Sequence, residues 1–189
     1  KMCGSGMKAV MLAHDQIQAG SSTIVVAGGQ ESMTNAPYLL PRARSGLRLG
    51  HANVIDHIFL DGLEDAYEPG RLMGSFAEDC ADHYSFSRED QDDYAIESLT
   101  RATEAIESGA FASQITRVTV STRRGDVIVD TDEQPQTANI EKIPQLKPAF
   151  RKGGTVTPAN SSSISDGAAA LVLMRLSEAE RGGHVPLAK

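Results

Sequence analysis

The run Ala168-Ala169-Ala170-Leu171-Val172-Leu173-Met174 contains no polar residue. A strand with one wet face alternates apolar and polar side chains. An unbroken apolar run therefore predicts a strand covered on both faces, and with it a layered α/β architecture. A second strand, Thr23 to Ala27, is predicted to end at Gly28-Gly29. It follows an amphipathic helix over residues 7–18, with Gly20 placed to stop that helix. Helix followed by apolar strand is the repeating unit of such layers. At 189 residues, 40% hydrophobic and 23% charged, the chain can bury a sizeable core as one large domain or as a domain carrying an insertion.

Periodicity fails between Gln30 and about Gly70, where Asn35, Pro37, Pro41, Gly46, Gly50 and His51 predict loops around short elements. Excursions of this length cover a binding site or an interface more often than they merely connect neighbours. Residues 73–81 are helix-like. Ser87-Arg88-Glu89-Asp90 resembles a capping box that opens a second helix, with aspartate in the usual glutamate position and Gly109 as the stop. Tyr94, Ala95, Ile96, Leu99, Ala102 and Ile106 form its packing stripe, while Asp79, Asp82, Glu89, Asp90, Asp92 and Asp93 are expected on solvated helical faces. Residues 115–120 and 127–129 suggest two short strands, and 130–148 a polar loop. The small-residue segment Gly154 to Gly167 can bring backbone amides and hydroxyls close to a bound group, although turn packing alone also accounts for such a loop.

Eighteen Lys and Arg against 25 Asp and Glu leave a net charge of −7, which opposes a broad electrostatic grip on nucleic acid or an anionic membrane. No basic leader with a cleavage site opens the chain, and no stretch of about 18 apolar residues occurs, arguing against translocation and membrane spanning. Cys3 and Cys80 suit reduced thiols in a cytoplasmic setting and supply no zinc ligand set. His51, Asp56, His57 and Asp61 have no recognised ligand spacing, so no metal is expected. Neither a dinucleotide fingerprint nor a phosphate-binding P-loop occurs. The lysine at position 1 and the unclosed Pro186 to Lys189 predict an internal piece of a longer protein.

In Lys1-Met2-Cys3-Gly4-Ser5-Gly6-Met7-Lys8, a cysteine stands where a glycine-rich turn becomes an apolar helix. Unpaired N–H groups and the positive end of the helix dipole favour thiolate there. Gly4 and Gly6 permit close approach to a ligand, and Met11, Leu12 and Ile17 can anchor the helix. His14 would lie about 16 Å along the same helix and cannot serve as the base. A buried core cysteine is the competing interpretation.

Three segments together resemble the thiolase family: Lys1 to Ala9, Val26-Ala27-Gly28-Gly29-Gln30-Glu31-Ser32-Met33, and Gly154-Thr155-Val156-Thr157-Pro158-Ala159-Asn160-Ser161-Ser162-Ser163. The resemblance spans the whole chain and implies an α/β thiolase-like layered fold with a large mixed-structure loop domain. Residues 1–32 would be the first part of the N-terminal core, 33–157 the inserted loop domain, and 158–189 the return to the core.

By the same resemblance, Cys3 is the acylated nucleophile of an acetyl-transferring enzyme performing Claisen condensation or thiolysis. Leu63, Met73, Ala149, Phe150, Ala159 and Ser162 would contact coenzyme A. CoA and acyl-CoA are then substrates, with no permanently bound cofactor, and a homo-oligomer is implied. The family's basic histidine, its NEAF segment and its second catalytic cysteine belong beyond Lys189, so the isolated chain is expected to lack full turnover. The alternatives are a CoA-binding scaffold with an inert cysteine and an assembly fragment.

Overall fold

The computed structural model describes all 189 residues. In chain order the regular elements are α1 (Ser5–Gln18), β1 (Ile24–Ser32), β2 (Tyr38–Leu39), β3 (Ile55–Asp56), α2 (Met73–Tyr84), α3 (Arg88–Glu107), β4 (Val118–Thr122), β5 (Gly125–Val129), α4 (Glu133–Thr137), β6 (Asp166–Met174) and α5 (Leu176–Arg181). They form two compact units. One comprises Lys1–Arg71 with Ile164–Lys189, the other Leu72–Ser163. No helix is long and apolar enough to cross a membrane.

The first unit is built on β1 and β6, which pair antiparallel from Ile24↔Met174 to Ser32↔Asp166. Cross-strand partners share a face, so Val25 and Ala27 turn with Leu173 and Leu171 toward one side, and Ile24 and Val26 with Val172 toward the other. Helix α1 packs on this ribbon; Ala13 and Ile17 are buried on the helix, and Ala27 is buried on the strand. Val26 and Val172 remain 69% and 64% exposed. The expectation of a strand covered on both faces therefore does not hold within this chain: the apolar pattern of β6 has a helix on only one side. A short β2–β3 pair and a π-helical turn at Ile58–Leu63 occupy the excursion expected to be loop-rich.

Strand β1 also continues through Gly28 and Gly29, where a stop was expected. Pairing with Ala169 and Ala170 holds the glycines extended. A Cβ on Gly28 would collide with the Ala169 carbonyl oxygen. Glycine here serves close backbone approach between strands, and the strand ends where its partner ends.

In the second unit, α2 and α3 carry the packing. Ser87 caps α3 as the sequence predicts: its hydroxyl accepts from the Asp90 N–H at 3.0 Å, and the Asp90 carboxylate accepts from the Ser87 N–H at 3.0 Å. The packing stripe requires one correction, because Tyr94 is 80% exposed. Strands β4 and β5 form a hairpin. The polar loop expected over 130–148 contains α4 and a 3₁₀ turn at Ile140–Gln145, whose Ile143 side chain is buried.

Candidate functional site

Cys3 lies in the turn just before α1 and is exposed in this chain. The turn is tied down by its own backbone. The Ser5 N–H donates to the Met2 carbonyl at 3.2 Å and the Ser5 hydroxyl to the same oxygen at 2.9 Å, while the Lys8 N–H donates to the Gly4 carbonyl at 3.0 Å.

The two glycines beside Cys3 have different jobs. A Cβ on Gly6 would lie 3.7 Å from the Gly29 nitrogen, and one on Gly29 would lie 3.3 Å from the Gly6 Cα, so the first turn of α1 rests backbone to backbone on β1. Gly6 is thus spent on packing instead of ligand approach, whereas nothing lies within 4 Å of where a Cβ of Gly4 would stand. His14 pairs with Asp15 at 3.3 Å and His57 with Asp61 at 2.9 Å; neither is bonded to Cys3.

Strand pairing brings together the two ends of the stretch between β1 and β6, residues 33–165. Ser32 and Asp166, 134 positions apart, are cross-strand partners. The Asp166 carboxylate accepts from the Thr34 N–H at 2.9 Å and from the Ser32 hydroxyl at 3.4 Å. The Thr34 N–H, with smaller help from the hydroxyls of Thr34 and Ser32, holds the Asp166 carboxyl below its usual range.

Leu63 ends the π-helical turn of the first unit and is half-buried. The other residues assigned to CoA belong to the second unit. Met73 opens α2, and the Phe150 ring occupies the space beside Gly74, where any Cβ would strike it. Ala149 donates its N–H to the Val156 carbonyl at 2.9 Å. Ala159 and Ser162 line a cavity of about 630 Å³ together with Phe86, Gln91, Tyr94 and Ser161. The structure therefore sets Phe150 against the first turn of α2 beside Gly74, and places Ala159 and Ser162 on one cavity.

The loop that carries Ala159 and Ser162 is braced by side chains to which the sequence assigned no such role. Glu78 is 1% exposed and accepts from the Thr155 N–H at 2.9 Å and the Val156 N–H at 3.0 Å. Asp92, expected on a solvated face, is 4% exposed and accepts from Arg88 Nε at 2.7 Å and Asn160 Nδ2 at 3.1 Å. Asn160 Oδ1 in turn accepts from the Thr157 N–H at 2.7 Å. The Thr157-to-Asn160 spacing is a local signal for that last bond, since Asn readily bonds nearby backbone. Glu78 has no comparable local signal. Arg151 sits beside it at 3.5 Å and grips Asp82 through two hydrogen bonds of 2.8 and 3.0 Å, which lower the Asp82 pKa and raise that of Arg151.

Residues 1–177 match the family model described as thiolase, N-terminal domain. The chain is 47% identical over 191 residues to an acetyl-CoA acetyltransferase of Pseudomonas aeruginosa, covering all of this chain and 48% of that one. It is 50% identical over 192 residues to acetyl-CoA acetyltransferase 2 of Arabidopsis thaliana, covering all of this chain and 47% of the relative. The crystal structure of the Bacillus anthracis acetyl-CoA acetyltransferase matches at a TM-score of 0.88 and 44% identity, over 98% of this chain and 47% of that one. The chain thus spans about half the length of the curated relatives it matches. Agreement with the family model over residues 1–177, with the curated relatives in sequence and with a solved structure in fold leads to one assignment: this chain belongs to the thiolase family.

Proposed function

We propose that the chain is the acyl-accepting part of a longer acetyl-CoA C-acetyltransferase, with Cys3 as its nucleophile. The observation that carries this reading is the exposed Cys3 in an anchored turn ahead of α1, in a chain close to half-identical to acetyl-CoA acetyltransferases. The Cys3 thiolate attacks the thioester carbonyl of acetyl-CoA. The new carbon–sulfur bond forms, the bond to the CoA sulfur breaks, and CoA leaves as a thiolate that takes up a proton. One thioester replaces another, so no external energy is needed, and the acyl group waits on the protein. In condensation, the α-carbon of a second acetyl-CoA loses a proton to a base and attacks the acyl carbon, releasing the Cys3 thiolate. Thiolysis runs the same steps backwards.

Residues 33–157 serve as the inserted loop domain between the core segments 1–32 and 158–189, with 33–71 belonging to the first compact unit and 158–163 to the second. The Ser32↔Asp166 pair supports this, since the stretch between β1 and β6 leaves and rejoins one ribbon. Leu63, Met73, Ala149, Phe150, Ala159 and Ser162 meet CoA, chiefly through apolar surface with the Ser162 hydroxyl as a directed polar group. The free thiols Cys3 and Cys80 suit a reducing cytoplasm, and the intact enzyme is a homo-oligomer.

Cleavage of acetoacetyl-CoA by the full encoded protein tests the proposal. Cys3→Ala is expected to lower kcat at least about a thousandfold. A variant retaining most of the wild-type rate would refute Cys3 as the nucleophile. The 189-residue chain alone is expected to show negligible steady-state turnover.

A further inference from the structure

Glu78 and Asp92 are two carboxylates that this fold buries and that the proposed chemistry does not use. Burying a carboxylate is costly unless its oxygens are paired. Here both Glu78 oxygens and one Asp92 oxygen are spent on one loop, while the other Asp92 oxygen accepts from Arg88 Nε at 2.7 Å. Glu78, rooted in α2, takes the N–H groups of Thr155 and Val156, and the space beside Gly154 is so fully occupied by its carboxylate that any Cβ there would collide with it. Asp92, rooted in α3, takes the Asn160 amide nitrogen, which also donates to the Thr155 carbonyl at 3.1 Å. Gln91 adds a bond of 2.9 Å to the Thr155 hydroxyl. Backbone and side-chain polar groups of residues 155–160 are therefore held from two helices. Ala159 lies within this stretch and Ser162 just beyond it, and both line the cavity.

We propose that Glu78 and Asp92 are positioning residues for acyl-CoA binding, holding the 155–160 stretch in the one shape that presents Ala159 and Ser162 to the ligand. The proposal rests on the acyl-CoA reading above. Glu78 acts through backbone amides and Asp92 through Asn160, and neither touches the reacting carbon. Removing either brace adds conformations to the loop, so part of the binding energy goes into reordering it. The acylation step at saturating substrate is left intact.

The test is steady-state kinetics of the full encoded protein carrying Glu78→Gln or Asp92→Asn, with thermal unfolding recorded in parallel. Glutamine keeps the shape of Glu78 but places an NH₂ donor against backbone donors; asparagine at 92 keeps one acceptor for two side-chain donors, so its NH₂ opposes either Asn160 Nδ2 or Arg88 Nε. The expected result is a rise in KM for acetyl-CoA of about tenfold, with kcat within about twofold of wild type. A fall in kcat at unchanged KM, unchanged kinetics in both variants, or loss of the folded state in both would overturn the proposal. The last outcome would assign the carboxylates to the fold alone. A wild-type protein without acetyl-CoA turnover would instead bring down the acyl-CoA reading, and this inference with it.

Discussion

Asp166 stands where the stretch between β1 and β6 rejoins the core, and its carboxylate fastens Thr34 and Ser32 to the start of β6. Its folded-state pKa lies below the ordinary value, first because the Thr34 N–H donates to it. A depressed carboxylate pKa contributes stability that is fully present above the unfolded value. That stability is lost as pH falls through the folded value. An NMR titration is therefore expected to give Asp166 a midpoint below the about 3.9 of a free aspartate, and Asp166→Asn is expected to flatten that part of the acid limb. A midpoint at or above the free value would contradict the bond.

Asp82, held down by Arg151, and Asp90, held down by the hydroxyl and N–H of Ser87, act in the same direction. Residues of this kind are not separable by sequence. Asp92 and Asp93 are adjacent in the chain, yet Asp92 is buried and Asp93 is exposed. Arg88, four positions before Asp92, is one partner and a local one, but the other is Asn160, 68 positions away, and Glu78 reaches the Val156 N–H across 78. No local pattern carries those long-range bonds.

Among the helices and strands, local chemistry predicts what local chemistry determines. The capping box places the start of α3 at Arg88 because all of its partners lie within four consecutive residues. Ser87→Ala is expected to cost about 1 kcal/mol in urea unfolding, the usual worth of an N-cap hydroxyl. A shift indistinguishable from zero would mean that the cap contributes nothing.

Strand β1 obeys a different authority. Its extension past Gly28 and Gly29 is decided by β6, so the glycines mark tight pairing instead of an end. Gly28→Ala is accordingly expected to destabilise by roughly 1–3 kcal/mol, because backbone must shift to admit the methyl group. Gly4→Ala, facing open space, is expected to change the unfolding temperature little. Equal effects from the two substitutions would argue against the close pairing of β1 with β6 at that point.

For the whole molecule, the apolar run of β6 announced a strand covered on both faces, and the chain covers only one. Ile24, Val26 and Val172 form a contiguous exposed apolar surface on a two-stranded ribbon. Exposed patches and open strand edges invite association. The 189-residue chain by itself is expected to self-associate with rising concentration in sedimentation velocity, and Val26→Lys with Val172→Lys to suppress this. A chain that stays monomeric at every concentration would show that the ribbon needs no cover. The three family segments identified the α/β class and marked out Cys3 and the small-residue loop. The bracing of that loop by α2 and α3 became visible only in three dimensions.

All of the proposed chemistry turns on Cys3 carrying the acyl group. Mass spectrometry of the full encoded protein, denatured after brief exposure to acetyl-CoA and digested, observes that group where it sits. The expected result is one acetyl group in thioester linkage on the peptide containing Cys3, removed by added CoA and absent from Cys3→Ser. An unmodified Cys3 peptide from protein that turns acetyl-CoA over, or an acetyl group carried by another residue during turnover, would contradict it.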